Sequence, residues 1–81
     1  MKIVYVVSGS EDGLLGVFGN KKSAYEEGVR YLKNQNLKIM SYQQVCKELK
    51  NYYDYDIDLC DYNEKYNVTI RATLFNRKDR K

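Results

Sequence analysis

The sequence predicts an α+β domain: a four-stranded antiparallel sheet with two helices packed on one face, in the order β-β-α-α-β-β, with a short extended piece between the helices. Three observations lead there. Runs rich in β-branched and aromatic residues open and close the chain, at Ile3–Val7 and Val68–Phe75. Between them, two stretches carry apolar residues at helical spacing. A chain of 81 residues buries one modest core, so one sheet with one layer of helices is near its limit.

Residues 2–7 form the first strand. Ile3, Tyr5 and Val7 fall on one face and Val4 and Val6 on the other. Apolar side chains on both faces predict a central strand. Ser8-Gly9-Ser10-Glu11-Asp12-Gly13 has turn chemistry, and Leu14–Phe18 completes a hairpin. Strict alternation in that second strand sets Leu14 and Phe18 opposite Leu15 and Val17, while Gly16 marks a candidate bulge. Asn20 or Ser23 can cap a first helix from about Lys22 to Asn34, with Tyr25, Val29 and Leu32 at i, i+4, i+7 and Ala24, Gly28 and Tyr31 beside them. A glycine inside a helix costs about 1 kcal/mol relative to alanine, and a close helix–sheet contact would explain Gly28.

Leu37–Met40 reads as the short extended piece. Ser41 with Gln44 fits a capping box for a second helix over about 42–52, with Tyr42, Val45, Cys46, Leu49, Tyr52 and Tyr53 at helical spacing. From Asp54 the period becomes two: Asp54, Asp56 and Asp58 alternate with Tyr55, Ile57 and Leu59, a strand with one wet face. Asn63-Glu64-Lys65 reads as a turn, and Val68–Phe75 as the last strand. Residues 1–76 are thus one domain, and 77–81 a basic solvated tail.

The net charge of +3 is divided unevenly. Over residues 71–81, Arg71, Arg77, Lys78, Arg80 and Lys81 face only Asp79, a net +4 that leaves −1 for the rest. The stretch from Asp54 to Glu64 has five acids and no base. No window approaches a membrane span, and the opening residues lack the cleavage signature of a secretory signal. The expectation is a cytoplasmic protein that avoids membranes and keeps Cys46 and Cys60 as buried thiols.

Catalytic and cofactor signatures fail one by one. Asp54, Asp56 and Asp58 match positions 1, 3 and 5 of a calcium loop, but Leu59 stands where glycine belongs and Lys65 where the bidentate glutamate belongs. A solvated strand face is the plainer reading. Gly9, Gly13, Gly16 and Gly19 have neither dinucleotide-binding nor P-loop spacing. There is no histidine, which removes the commonest general base and zinc ligand. Glu26 and Glu27 could meet the aspartates only through the fold. No catalytic residue, metal or cofactor is expected.

Two binding surfaces remain. Tyr52, Tyr53 and Tyr55 with Asp54, Asp56 and Asp58 form an aromatic, acidic segment suited to a protein partner. Arg71, Arg77, Lys78, Arg80 and Lys81 form a basic end suited to RNA or DNA. Val4 and Val6, pointing away from the helices, are candidates for a homodimer contact.

The opening Ile3-Val4-Tyr5-Val6-Val7, the polar turn, Gly16-Val17-Phe18 and Asn20-Lys21-Lys22-Ser23-Ala24-Tyr25 resemble short phage-encoded accessory proteins over residues 3–32. The richness in Lys, Asn and Tyr, without Pro, Trp or His, is similar to that of chains from AT-rich phage genomes. The resemblance implies an inhibitor that docks on a host protein, such as a defence antagonist, in the host cytoplasm. It carries no binding residues across.

Overall fold

The computed structural model describes residues 2–32, 38–60 and 67–75. It has the expected α+β architecture: β1 (Lys2–Gly9), β2 (Gly13–Phe18), α1 (Lys21–Leu32), α2 (Tyr42–Asn51), β3 (Ile57–Asp58) and β4 (Val68–Phe75). The strands lie in the order β2-β1-β4-β3, every neighbouring pair antiparallel. β1 and β2 form one antiparallel pair and β3 and β4 another, joined where β1 runs along β4 from Lys2↔Phe75 to Gly9↔Val68. β1 is central, as its two apolar faces predict.

Register assigns the faces, because directly opposed residues share one. Tyr5, Val7, Val68, Ile70, Ala72 and Ile57 face the helices, with Ile57 opposite Ile70 and Val7 opposite Ile70 on its other side. Val7, Val68 and Ile70 are fully buried with Ala24 and Leu32 of α1, Val45 of α2 and Leu59. Ile3 lies on the same face opposite Leu74, but both are exposed, beyond the cover of the helices. The open face holds Val4, Val6, Ser8, Thr69, Arg71, Thr73 and Asp58.

β2 departs from strict alternation. Gly16 opposes Val7 and Leu14 opposes Ser8, so Leu15 is the extra residue of a bulge. The shift puts Leu15 and Phe18 against the core and turns Leu14 and Val17 to the open face. The expected grouping of Leu14 with Phe18, and of Leu15 with Val17, is corrected: one inserted residue exchanges the partners. Gly13 closes the turn at φ 74°, a conformation that favours glycine.

Asn20 caps α1, its Oδ1 accepting from Ser23 N–H at 2.8 Å. The buried stripe is Ala24, Gly28 and Leu32, with Tyr25, Val29 and Tyr31 half-buried at its sides. Small residues sit at its centre because the sheet layer comes close. A Cβ on Gly28 would stand 2.5 Å from Leu59 Cδ1 and 3.1 Å from Val68 Cγ1, which supplies the contact its sequence position called for. Ser41 caps α2, accepting from Gln44 N–H at 3.2 Å. Gln44 does not close the box; its side chain donates to Glu48 at 2.9 Å instead.

Two expected strands contract. Lys38, Ile39 and Met40 are irregular, though Met40 N–H donates to Leu59 C=O at 2.7 Å; Leu37 lies outside the described residues. The strand expected from Asp54 is reduced to Ile57–Asp58, because Asp54 takes φ 66° and breaks the extended run. The turn at Asn63–Lys65, the domain boundary at 76 and the tail 77–81 lie outside the described residues.

Candidate functional site

The expected aromatic segment is built by a tight reversal between α2 and the edge of the sheet. Tyr52 ends α2, its N–H donating to Glu48 C=O at 2.8 Å. Two residues on, Asp54 adopts its left-handed conformation and donates N–H to Ala72 C=O on β4 at 2.9 Å. Aspartate tolerates that region better than most residues. The chain then pairs Ile57 with Ile70 and Asp58 with Thr69, and Leu59 N–H donates to Val68 C=O at 2.9 Å. Ile57 and Leu59 are driven into the core as anchors.

Ahead of those anchors the tyrosines point out. Tyr52, Tyr53 and Tyr55 are 48%, 44% and 65% exposed. Tyr52 and Tyr55 stack with ring centroids 6.1 Å apart and an interplanar angle of 25°. The rings thus form a ledge on backbone that is hydrogen-bonded to α2 before it and to β4 within it.

The acids of the same segment separate by role. Asp56 takes both arms of Arg71, Nε to Oδ1 at 2.9 Å and Nη2 to Oδ2 at 3.2 Å. The Asp56 hydrogen bond and charge, with a smaller contribution from the Asp54 charge, hold the Arg71 guanidinium more firmly protonated. Asp58 accepts from Asn67 Nδ2 at 3.0 Å. Asp54 is exposed. Among the described residues no group of three acidic or cysteine side chains is arranged to hold a metal ion.

Of the expected basic surface, only Arg71 lies among the described residues, and it is engaged by Asp56 across the β3–β4 edge. Arg77, Lys78, Arg80 and Lys81 lie outside them. Val4 and Val6 are half-buried on the open face; Val6 lies between Val17 and Arg71, and Val4 beside Thr73. The apolar side chains most open to solvent there are Leu14 and Val17. Glu27 pairs with Arg30 along α1.

Sequence patterns missed two arrangements. Asn67, just before β4, is a local hub. Its Oδ1 accepts from Val68 N–H at 2.7 Å and from the Cys60 thiol at 3.1 Å, and its backbone exchanges hydrogen bonds with Ser10 at 2.9 and 3.0 Å. It ties the first turn to the far edge of the sheet. The only signal was an amide residue at a strand entrance, which is also common in loops. Second, Tyr25 donates its hydroxyl to Met40 C=O at 2.7 Å and meets Tyr42 edge-on at 5.3 Å. A hydrogen bond to Cys46, then burial, pushes the Tyr42 hydroxyl pKa up. Cys46 is therefore half-buried in a tyrosine cluster, whereas Cys60 is buried as expected.

No helix among the described residues is long and apolar enough to cross a membrane. Comparison with protein-family models, with curated proteins and with solved structures finds no match for this chain.

Proposed function

We propose that this chain is a protein-binding module without catalytic activity, and that it docks through the ledge formed by Tyr52, Tyr53 and Tyr55. The observation that carries the reading is the combination of exposure and anchoring in that turn. Three tyrosines face solvent on backbone pinned to α2 and β4. Tyrosine offers a large contact area with few rotatable bonds and is enriched among the residues that dominate interface energetics. A pinned turn also reduces the entropy lost on binding. Exposed Asp54, with Asp56 and Asp58 beside it, favours a partner surface with basic residues at its rim. The resemblance of residues 3–32 to phage accessory proteins supports a host factor as that partner and inhibition as the outcome.

The basic end remains the competing surface for RNA or DNA. The commitment of Arg71 to Asp56 weighs against it, since the guanidinium fork already faces a carboxylate. Immobilised protein incubated with host lysate, with and without nuclease, separates the two. Wild type should retain a protein after nuclease treatment. Tyr52→Ala/Tyr55→Ala should lose about tenfold or more in affinity for it while keeping the wild-type melting temperature. Capture that vanishes with nuclease, falls steeply with salt and ignores the tyrosine variant would overturn the reading in favour of nucleic acid.

A further inference from the structure

β2 ends the sheet, and no described strand pairs with its outer side. Its sequence, Gly13-Leu14-Leu15-Gly16-Val17-Phe18, has no charge and no proline. Edge strands are usually guarded by charges, proline or a bulge, because their unpaired backbone groups template pairing with another chain; β2 has only the bulge at Leu15. Here the edge also carries Leu14 and Val17, 64% and 54% exposed, both on the open face.

The bulge makes the strand symmetric about its midpoint. Positions 13, 15, 16 and 18 lie on the helix side, and 14 and 17 on the open side. If a second copy lies antiparallel with its Val17 opposite Leu14, then Leu15 meets Gly16 and Gly13 meets Phe18. Every pair in that register joins residues from the same side. The charges flanking the strand fit the same arrangement. Exposed Glu11 and Asp12 precede β2, and Lys21 and Lys22 follow it. Antiparallel pairing across a twofold axis brings each acidic turn towards the lysines of the other copy, twice over.

We propose that the outer edge of β2 is a self-association surface, where two copies pair β2 with β2 across a twofold axis and merge their sheets into one. Leu14 and Val17 of each copy pack against each other on the open face, and the two charge pairs set direction and register. The contact is independent of the tyrosine ledge, which stands at the opposite edge of the sheet beside β3. A dimer of this kind presents both ledges at its two far ends.

Sedimentation equilibrium of the full chain over a wide concentration range tests the proposal. The expected result is a monomer–dimer equilibrium weakened by salt. Leu14→Lys/Val17→Lys and Leu14→Glu/Val17→Glu should each be monomeric alone, because they oppose like charges. Mixed together they should form a heterodimer. A wild type that stays monomeric at every concentration overturns the proposal. So does a dimer that survives the lysine variant but dissociates in Val4→Asp/Val6→Asp, which would place the contact on the sheet face. If the charged variants fail to fold, hydrogen exchange on wild type decides: amide protection over residues 13–18 should rise with protein concentration, and protection that does not change overturns the proposal.

Discussion

At the scale of single residues, two glycines show how local space sets a sign. Gly28 sits in α1, where alanine would improve helix propensity by about 1 kcal/mol. Its missing Cβ, however, is filled by Leu59 Cδ1 and Val68 Cγ1, both on fully buried side chains. Overpacking a tight core typically costs about 1–3 kcal/mol. Gly28→Ala should therefore lower stability, by up to about 2 kcal/mol after the propensity gain. At Gly19 nothing lies within 4 Å of an added Cβ. Gly19→Ala should be neutral or stabilising by a few tenths of a kcal/mol, through the entropy of the unfolded chain. Urea denaturation of the pair checks both signs, and a stabilised Gly28→Ala would mean that α1 stands further from the sheet.

At the scale of elements, a cap and an exposed ion pair of similar appearance should differ in effect. Ser41 satisfies one of the donors that α2 leaves open at its start, so Ser41→Ala should cost about 1 kcal/mol. Asp56 and Arg71 form a bidentate but half-exposed pair, and solvent screens it. Asp56→Asn should cost less than the cap, about 0–1 kcal/mol. The same pairings weigh against the calcium reading at this scale. Two of the three alternating carboxylates already have partners, Arg71 and Asn67, and the third lies in a left-handed turn. Thermal melts of the wild type and both variants should be unmoved by added calcium. A chelator-reversible rise in melting temperature would contradict that assignment.

At the scale of the whole molecule, tyrosine hydroxyls link the layers and make stability depend on alkaline pH. The ring of Tyr31 lies over Gly9, and its hydroxyl reaches the first turn at Glu11 and Asp12. Burial is the main cause that pushes its pKa up, with the Asp12 charge and hydrogen bond adding to it against a backbone hydrogen bond from Glu11. Tyr42 is shifted in the same direction. The unfolded chain releases phenolic protons near pH 10, while the folded chain holds these two longer. Above that pH the unfolded state binds fewer protons, so stability, fully present below about pH 10, falls as pH rises through the folded values. The melting temperature should decline above about pH 10. Tyr31→Phe/Tyr42→Phe should flatten the decline, and an unchanged slope would place the titrating groups elsewhere.

Much of this molecule is readable one residue after another. The change of period from two to helical spacing and back defined the strands and helices, and Asn20 or Ser23, Ser41, and Gly13 marked a start, a start and a turn by chemistry that needs no tertiary context, the structure choosing Asn20 of the first two. The aromatic segment at Tyr52–Tyr55 was legible by composition, though its form was not. An alternating pattern predicts a strand at Asp54, whereas the hydrogen bond to Ala72 holds that residue in a turn and lifts the tyrosines clear. Tertiary packing likewise decided which stripe of α1 is buried, because the space over Gly28 belongs to Leu59, a residue 31 positions later. It decided the faces of β2 through one extra residue opposite Val7: Gly16 marked a candidate bulge in the sequence, but that Leu15 is the inserted residue shows only once β1 lies alongside. Periodicity and capping are properties of neighbours along the chain, so sequence by itself determined the elements and their order. Register, bulge and close approach are properties of neighbours in space, so only the fold decided which apolar side chains, Leu14 and Val17 among them, are left for another molecule.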